Sequence, residues 1–253
     1  MSRAQGLELA LVTLLVAALA AAVPLSTGYI AWSWDALNHH IYLGMIAEHA
    51  RWHLDVNAAS FQSYQYPYLY WPVYRLSLMS GSGAWWGAAW SAFQAGLLVV
   101  PVWWISLRLL PDAGGNPWQA VAQRVAACAF ALMNAVILIG LETTGNDVLA
   151  AVPLLWGVYV GLDRRATDRQ AALAAALWGV SVAFKLSNGL FLPLLLFWWW
   201  QPRSPHLPWR RGAALAVGAC AGFVVPYAPW GWQLWRLTGN PFYPLLGGYF
   251  PGA

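Results

Sequence analysis

Charge is what this sequence has least of. Nine per cent of its 253 residues are Asp, Glu, Lys or Arg, against roughly a quarter in soluble globular domains. Such a chain cannot clothe a water-facing surface in the usual way, which argues against an ordinary soluble domain. Lysine is nearly absent, with Lys185 standing alone. No basic run with interleaved aromatics occurs on a polar stretch, so the net charge of +4 does not indicate a nucleic-acid partner. Cysteine is scarce too. Cys128 and Cys220 fall inside apolar segments, have no ligand-like spacing, and read as small residues facing core or lipid.

Apolar and aromatic residues fill the space that charge leaves. Sixty per cent of the chain is hydrophobic and it holds 19 tryptophans, many of them flanking runs of about 20 apolar residues. Indole rings favour the membrane–water boundary. Seven apolar segments emerge, at 7–25, 85–110, 119–140, 147–162, 170–187, 189–201 and 211–230. The expected fold class is therefore all-α, a polytopic transmembrane helix bundle of about seven spans in a single integral membrane domain, 1–253. The first segment is followed by small residues, "AALAAAVPLSTG", that resemble a cleavage site. Because further spans follow, it reads as a retained anchor. The 170–201 region is the hardest to divide, since Lys185 and Asn188 interrupt it.

Orientation follows from the arginines. With the N-terminus in the cytoplasm, nine basic residues fall inside: Arg3, Arg108, Arg124, Arg164, Arg165, Arg169, Arg203, Arg210 and Arg211. Four fall outside, Arg51, Arg75, Lys185 and Arg236. The same alternation sends Asp35, His39, His40, Glu142, Asn146, Asp147, Asn188 and Asn240 to the outer ends of spans or to outer loops, with Lys185. Asp112, Asp163, Asp168 and His206 lie inside, beside arginines, where surface pairing explains them. Ionisable groups that face a bundle are functional candidates by default. The pattern proposes one polar site, facing outward.

The first outer loop, 26–84, is expected to carry an amphipathic interfacial helix from Asp35 to about Arg51 and then an aromatic loop. In that helix His39, Tyr42, Ile46, His49 and His53 recur at spacings of three and four and share a face. Asp35 and His39 stand four apart, close enough for the carboxylate to orient the imidazole. On that reading Asp35 is a general base, with His39 or His40 as orienter or phosphate contact. The plainer alternative makes Asp35 an N-cap on a helix lying flat on the membrane. His49 and His53 make two ligands of a metal site but lack a third. "FQSYQYPYLYWPVY", 61–74, reads as an ordered loop whose rings suit an apolar or sugar-bearing ligand, or serve as an interfacial belt.

Three later stretches add to the outer site. In "GLETTGNDVLAAVPLL", 140–155, Thr143 or Thr144 caps a helix and Asp147 falls in its first turn, while Glu142, Asn146 and Asp147 together offer ligands for a divalent cation or a sugar. "VAFKLSNGLFLPLLL", 182–196, sets Lys185 beside a break at Asn188–Gly189. Its ammonium either snorkels to the interface or meets a phosphate. In "RLTGNPFYPLLGGYF", 236–250, Arg236 is a second candidate for an anionic group, and Asn240 lies in a turn.

Taken together, an Asp and a His pair after the first span, "ETTGND", "KLSNG" and "TGNPFYP" resemble bacterial polytopic C-type (GT-C) glycosyltransferase-like membrane proteins, including family-87-like members. The resemblance runs from about residue 28 to 250. It implies transfer of a sugar from a polyprenyl-phosphate carrier to a sugar or lipid acceptor on the outer face of the bacterial inner membrane. It also implies that an aspartate in the first outer loop, here Asp35, acts as base on the acceptor hydroxyl. Basic residues such as Lys185 or Arg236 would hold the lipid phosphate. Well-studied members have more spans and often a soluble outer domain, so the expectation includes a shortened or truncated homologue, or one half of an enzyme with a partner subunit. A transporter or flippase of a lipid-linked substrate is the next reading. Polar groups should then continue across the spans, and the inner halves are almost purely apolar. A non-catalytic membrane subunit is the third.

Overall fold

The computed structural model describes residues 2–30, 33–55, 58–79, 81, 83–110, 116–142, 144–163, 166–200 and 208–250. The side chains of Val136, Gly140, Leu141, Glu142 and Pro208 also fall outside the description. So do Asp112, Thr143, Arg164, Arg165, Arg203 and His206 altogether.

Small residues set the tightest packing. Helix α8 (Asp168–Phe184), with Ala171, Ala174, Ala175 and Gly179 all buried, packs along α10 (Pro208–Thr238). A side chain at Gly218 or Gly222 of α10 would run into the backbone of Ala172 or Ala176. This small-xxx-small spacing lets two helices approach closely where no hydrophobic effect separates apolar lipid from apolar side chain.

The rest of the bundle is built around that pair. α1 (Arg3–Thr27) starts with a capping box at Ser2 and Gln5, and ends at Gly28, whose φ of 83° suits glycine. It packs along α4 (Gly83–Leu109). α5 (Pro117–Leu132) opens with proline behind an Asn116 cap and gives way to α6 (Ala135–Glu142) at Met133 and Asn134. α7 (Asp147–Gly161) packs against both α4 and α8. The chain then passes through a 3-10 turn, Leu186–Phe191, into α9 (Pro193–Trp200).

Among the described residues each of the seven apolar segments contains helix, the sixth beginning in the 3-10 turn. Among the described residues three helices are long and apolar enough to cross a membrane, Arg3–Thr27, Gly83–Leu109 and Trp209–Thr238. Cys128 is buried, Cys220 is exposed, and both are free.

Between α1 and α4 lie a π-helical turn (Ala36–His40), α2 (Ile41–Ile46) and α3 (Trp71–Ser77), with a four-residue extended stretch, Ala58–Phe61. α2 ends at Ile46, short of the expected Arg51, so His49 and His53 follow it rather than share its face. His49 instead meets Glu48 at 3.4 Å, and Glu48 binds Arg75 at 2.8 Å and the indole of Trp71 at 3.0 Å.

Candidate functional site

The wide π-helical turn carries the first group of polar residues. Ser33, not Asp35, caps it: the Ser33 hydroxyl accepts from the Ala36 amide at 3.1 Å, and Asp35 makes no capping bond. Asp35 thus stands at the helix start without a capping bond. Its side chain is 54% exposed, with one oxygen 3.7 Å from Nδ1 of His39. That distance allows electrostatic attraction but exceeds a good hydrogen bond. His39 is 4% exposed at the side chain, and its Nδ1 has no hydrogen-bond partner.

His40 is held from three sides. Its ring stacks on Tyr70 at 4.8 Å, meets the edge of His39 at 4.4 Å, and its Nδ1 lies 2.7 Å from Oγ1 of Thr144. Burial drives both imidazoles toward neutrality. His40 is lowered to about 4, with the adjacent His39 adding to the effect, while for His39 the Asp35 charge opposes burial. Both shifts favour the neutral ring.

Thr144 belongs to the turn before α7, and the next residues bring the second group. Asn146 is buried at the start of α7, and Asp147 occupies its first turn, as the sequence predicts. Asp147 is ion-paired with Lys185. α8 ends at Lys185, where the backbone turns extended (φ −150°, ψ 106°). Asn188 fixes that break. Its amide donates to the Ser181 hydroxyl at 2.7 Å, and the hydroxyl donates to the Ala150 carbonyl at 2.6 Å, tying α8 to α7. Asn188 therefore positions Lys185 through the backbone. The charges of Asp35, Asp147 and Lys185 all act on His40, so the two groups share one end of the bundle.

A cavity of about 290 Å³ opens beside this cluster. Lys185 and Asn146 are among its polar lining, and its walls are aromatic: Phe61, Tyr64 and Tyr66 from the loop, Phe184 from α8, Tyr227 from α10, and Phe242 and Tyr243 beyond it. The aromatic loop is ordered by bonds to α10. Trp230 donates to the Tyr64 carbonyl at 3.2 Å, Gln233 donates to the Tyr68 hydroxyl at 3.2 Å, and Tyr66 donates to the Pro226 carbonyl at 3.4 Å. Tyr64 meets Tyr243 edge-on at 4.6 Å.

The remaining candidates have other places. Asn240 is fully buried and bonds within its own turn, to the Leu245 carbonyl at 2.6 Å and from the Phe242 amide at 2.8 Å. Arg236 is exposed in the last turn of α10, outside the cavity lining. Tyr42 packs against the Leu43–Trp230 cluster, its hydroxyl buried without a partner and pushed up to about 12 by that burial. Glu142 ends α6, its side chain outside the described residues. Tyr70 and the pairing of Thr144 with His40 were not visible in sequence, because both depend on contacts between distant segments. Among the described residues no three His, Cys, Asp or Glu side chains converge as metal ligands. No family model matches the chain, and no match is found among curated proteins or solved structures.

Proposed function

We propose that this chain is a multi-pass protein of the bacterial inner membrane, with its N-terminus in the cytoplasm, about seven spans and an interfacial first outer segment. We propose further that its polar end is an extracytoplasmic glycosyl-transfer site. The donor is a sugar on polyprenyl phosphate, and the acceptor is a sugar or lipid hydroxyl. One observation carries the reading: Asp35, the two buried histidines, and the Asp147–Lys185 pair gather from three separate segments beside an aromatic-walled cavity.

The chemistry suits such a group. A lipid phosphate is already a good leaving group, so the protein needs mainly a base for the incoming hydroxyl and a cation for the departing phosphate. Asp35 is open to an acceptor and free of capping. His39 lies beside the carboxylate, and His40 is fixed by Thr144 and Tyr70 behind it. Lys185 lies at the cavity with its charge partly balanced by Asp147, so an arriving phosphate would share the ammonium. Tyrosine and phenylalanine faces would hold the sugar ring or the first isoprene units. A divalent cation is not needed by this arrangement, although Asp147 would be a ligand for one.

The test is a transfer assay on membranes supplied with polyprenyl-phosphate sugars, comparing the protein with its Asp35→Asn variant. Loss of a general base should lower turnover by about 10²–10⁴-fold. A variant that retains full transfer, or that merely supports assembly of another enzyme as well as the parent does, would put the base elsewhere.

A further inference from the structure

One amide beside the cavity has no bond of its own. Asn146 is 5% exposed and stands at the N-cap position of α7, where asparagine ordinarily accepts from a backbone N–H. Here its side chain makes no capping bond, and it has no hydrogen-bond partner among the described residues. Other asparagines behave differently. The side chains of Asn38, Asn116, Asn188 and Asn240 are bonded to Gln62, the Trp118 amide, the Ser181 hydroxyl and the Leu245 carbonyl. An amide taken out of water without a partner is costly. The bonds of Asn146 must therefore come from whatever fills the space beside it.

That space is the cavity of about 290 Å³, which Asn146 lines together with Lys185. The two are linked through Asp147, the next residue along α7 and the ion-pair partner of Lys185. One occupant thus meets a cation, a neutral group and aromatic faces. A carboxamide both donates and accepts, as a hydroxyl does and an isoprene unit does not. A hydrocarbon occupant would seal the Asn146 amide away from water without a bond. A hydroxyl-bearing ring attached to a phosphate would satisfy the amide and the ammonium together, with its apolar face on the rings of Tyr66, Phe184 or Tyr227.

We propose that this cavity holds the sugar of the donor rather than its isoprenoid chain, and that Asn146 selects for it by hydrogen bonds to a ring hydroxyl near the phosphate at Lys185. The proposal rests on the glycosyl-transfer reading above and adds to it a recognition group for the sugar. One neutral hydrogen bond in a buried site corresponds to about ten-fold in affinity. That is the discrimination expected between a carrier with a sugar and one without.

Affinities of the purified full chain are measured in mild detergent for polyprenyl phosphate and for polyprenyl phosphoglucose, phosphomannose and phosphoarabinose. At least one sugar-bearing carrier should bind about ten-fold more tightly than the bare carrier. Asn146→Leu, which loses both halves of the amide, should bring that ratio close to one while binding bare polyprenyl phosphate as the parent does, a sign that the variant is folded. Asn146→Ala, with less bulk, should show the same collapse. Equal binding of bare and sugar-bearing carriers by the parent overturns the proposal whatever the variants do, and so does an Asn146→Ala chain that keeps the parent's ratio. A parent that binds none of the four carriers refutes the lipid-phosphate reading itself, a result distinct from loss of sugar selectivity.

Discussion

The two ends of the bundle use their few charges in opposite ways. At the end where α1 begins, arginines are consumed by structure. Arg124 binds both oxygens of Glu8 at 2.8 and 2.7 Å, and the indole of Trp103 donates to the same carboxylate at 2.9 Å. Arg211 donates to the Trp198 carbonyl at 2.7 Å and the Ala166 carbonyl at 3.0 Å, stitching α10 to the ends of neighbouring helices. Arg108 donates to the Tyr159 carbonyl at 2.6 Å and lies over that ring. At the other end Asp35 is half exposed, His39 keeps an unbonded ring nitrogen, and the Asp147–Lys185 pair is partly exposed beside a cavity. A side chain that completes its bonds within the fold holds helices together. One that leaves them open is available to a ligand.

The largest effect on stability should therefore come from the closed end. Arg124→Met leaves Glu8 buried with its charge uncompensated, at a cost of about 3–5 kcal/mol. Asp35→Asn, at the open end, should stay within about 0.5 kcal/mol of the parent. Thermal melting in one detergent compares them directly, and a similar loss from both would erase the distinction between the ends.

Acid should weaken the open end first. His40 is held at about 4 in the folded chain, against 6.5 when unfolded, and His39 is lowered in the same direction. Between those values the unfolded chain binds more protons, so stability is complete above about pH 6.5 and falls as pH drops toward 4. For His40 the total is on the order of 3 kcal/mol. Denaturation followed against pH should show this slope in the parent and a shallower one in His40→Asn; identical slopes would mean that His40 is solvated.

Thr144→Val should cost about 1–3 kcal/mol, because it leaves the buried Nδ1 of His40 without its 2.7 Å partner. The same melting experiment reads it, and an unchanged midpoint would show that water replaces the hydroxyl. The smallest effect belongs to Arg236→Gln. Arg236 is exposed and makes no ion pair among the described residues, so both melting and transfer should be nearly unchanged. A large loss of transfer would bring α10's last turn into the site.

Much of this division was legible in the sequence, and for physical reasons. Apolar runs marked where helices form, and the Asp35–His40 group, Asp147 and Lys185 stood out because ionisable residues are rare near such runs. What periodicity could not supply was tertiary. Nothing local announces that Tyr70 lies against His40, that Thr144 meets its Nδ1, or that the 61–74 loop folds onto α10 to wall a cavity. Nothing local announces a partner for Glu8 either. Its partner Arg124 lies more than a hundred residues away. The helix after Asp35 was expected to reach Arg51, but it ends at Ile46. Asn188 and Asn240 were placed at a helix break and in a turn, and their internal bonds shape those places.

The central claim is that the open end holds a lipid phosphate. The most direct measurement is mass spectrometry of the lipids that co-purify with the protein in mild detergent, set beside its Lys185→Ala variant. Polyprenyl-phosphate species, with sugar mass on the carrier, should be retained by the parent and lost from the variant. Absence of polyprenol from both samples, or equal retention by both, would contradict a phosphate site at Lys185.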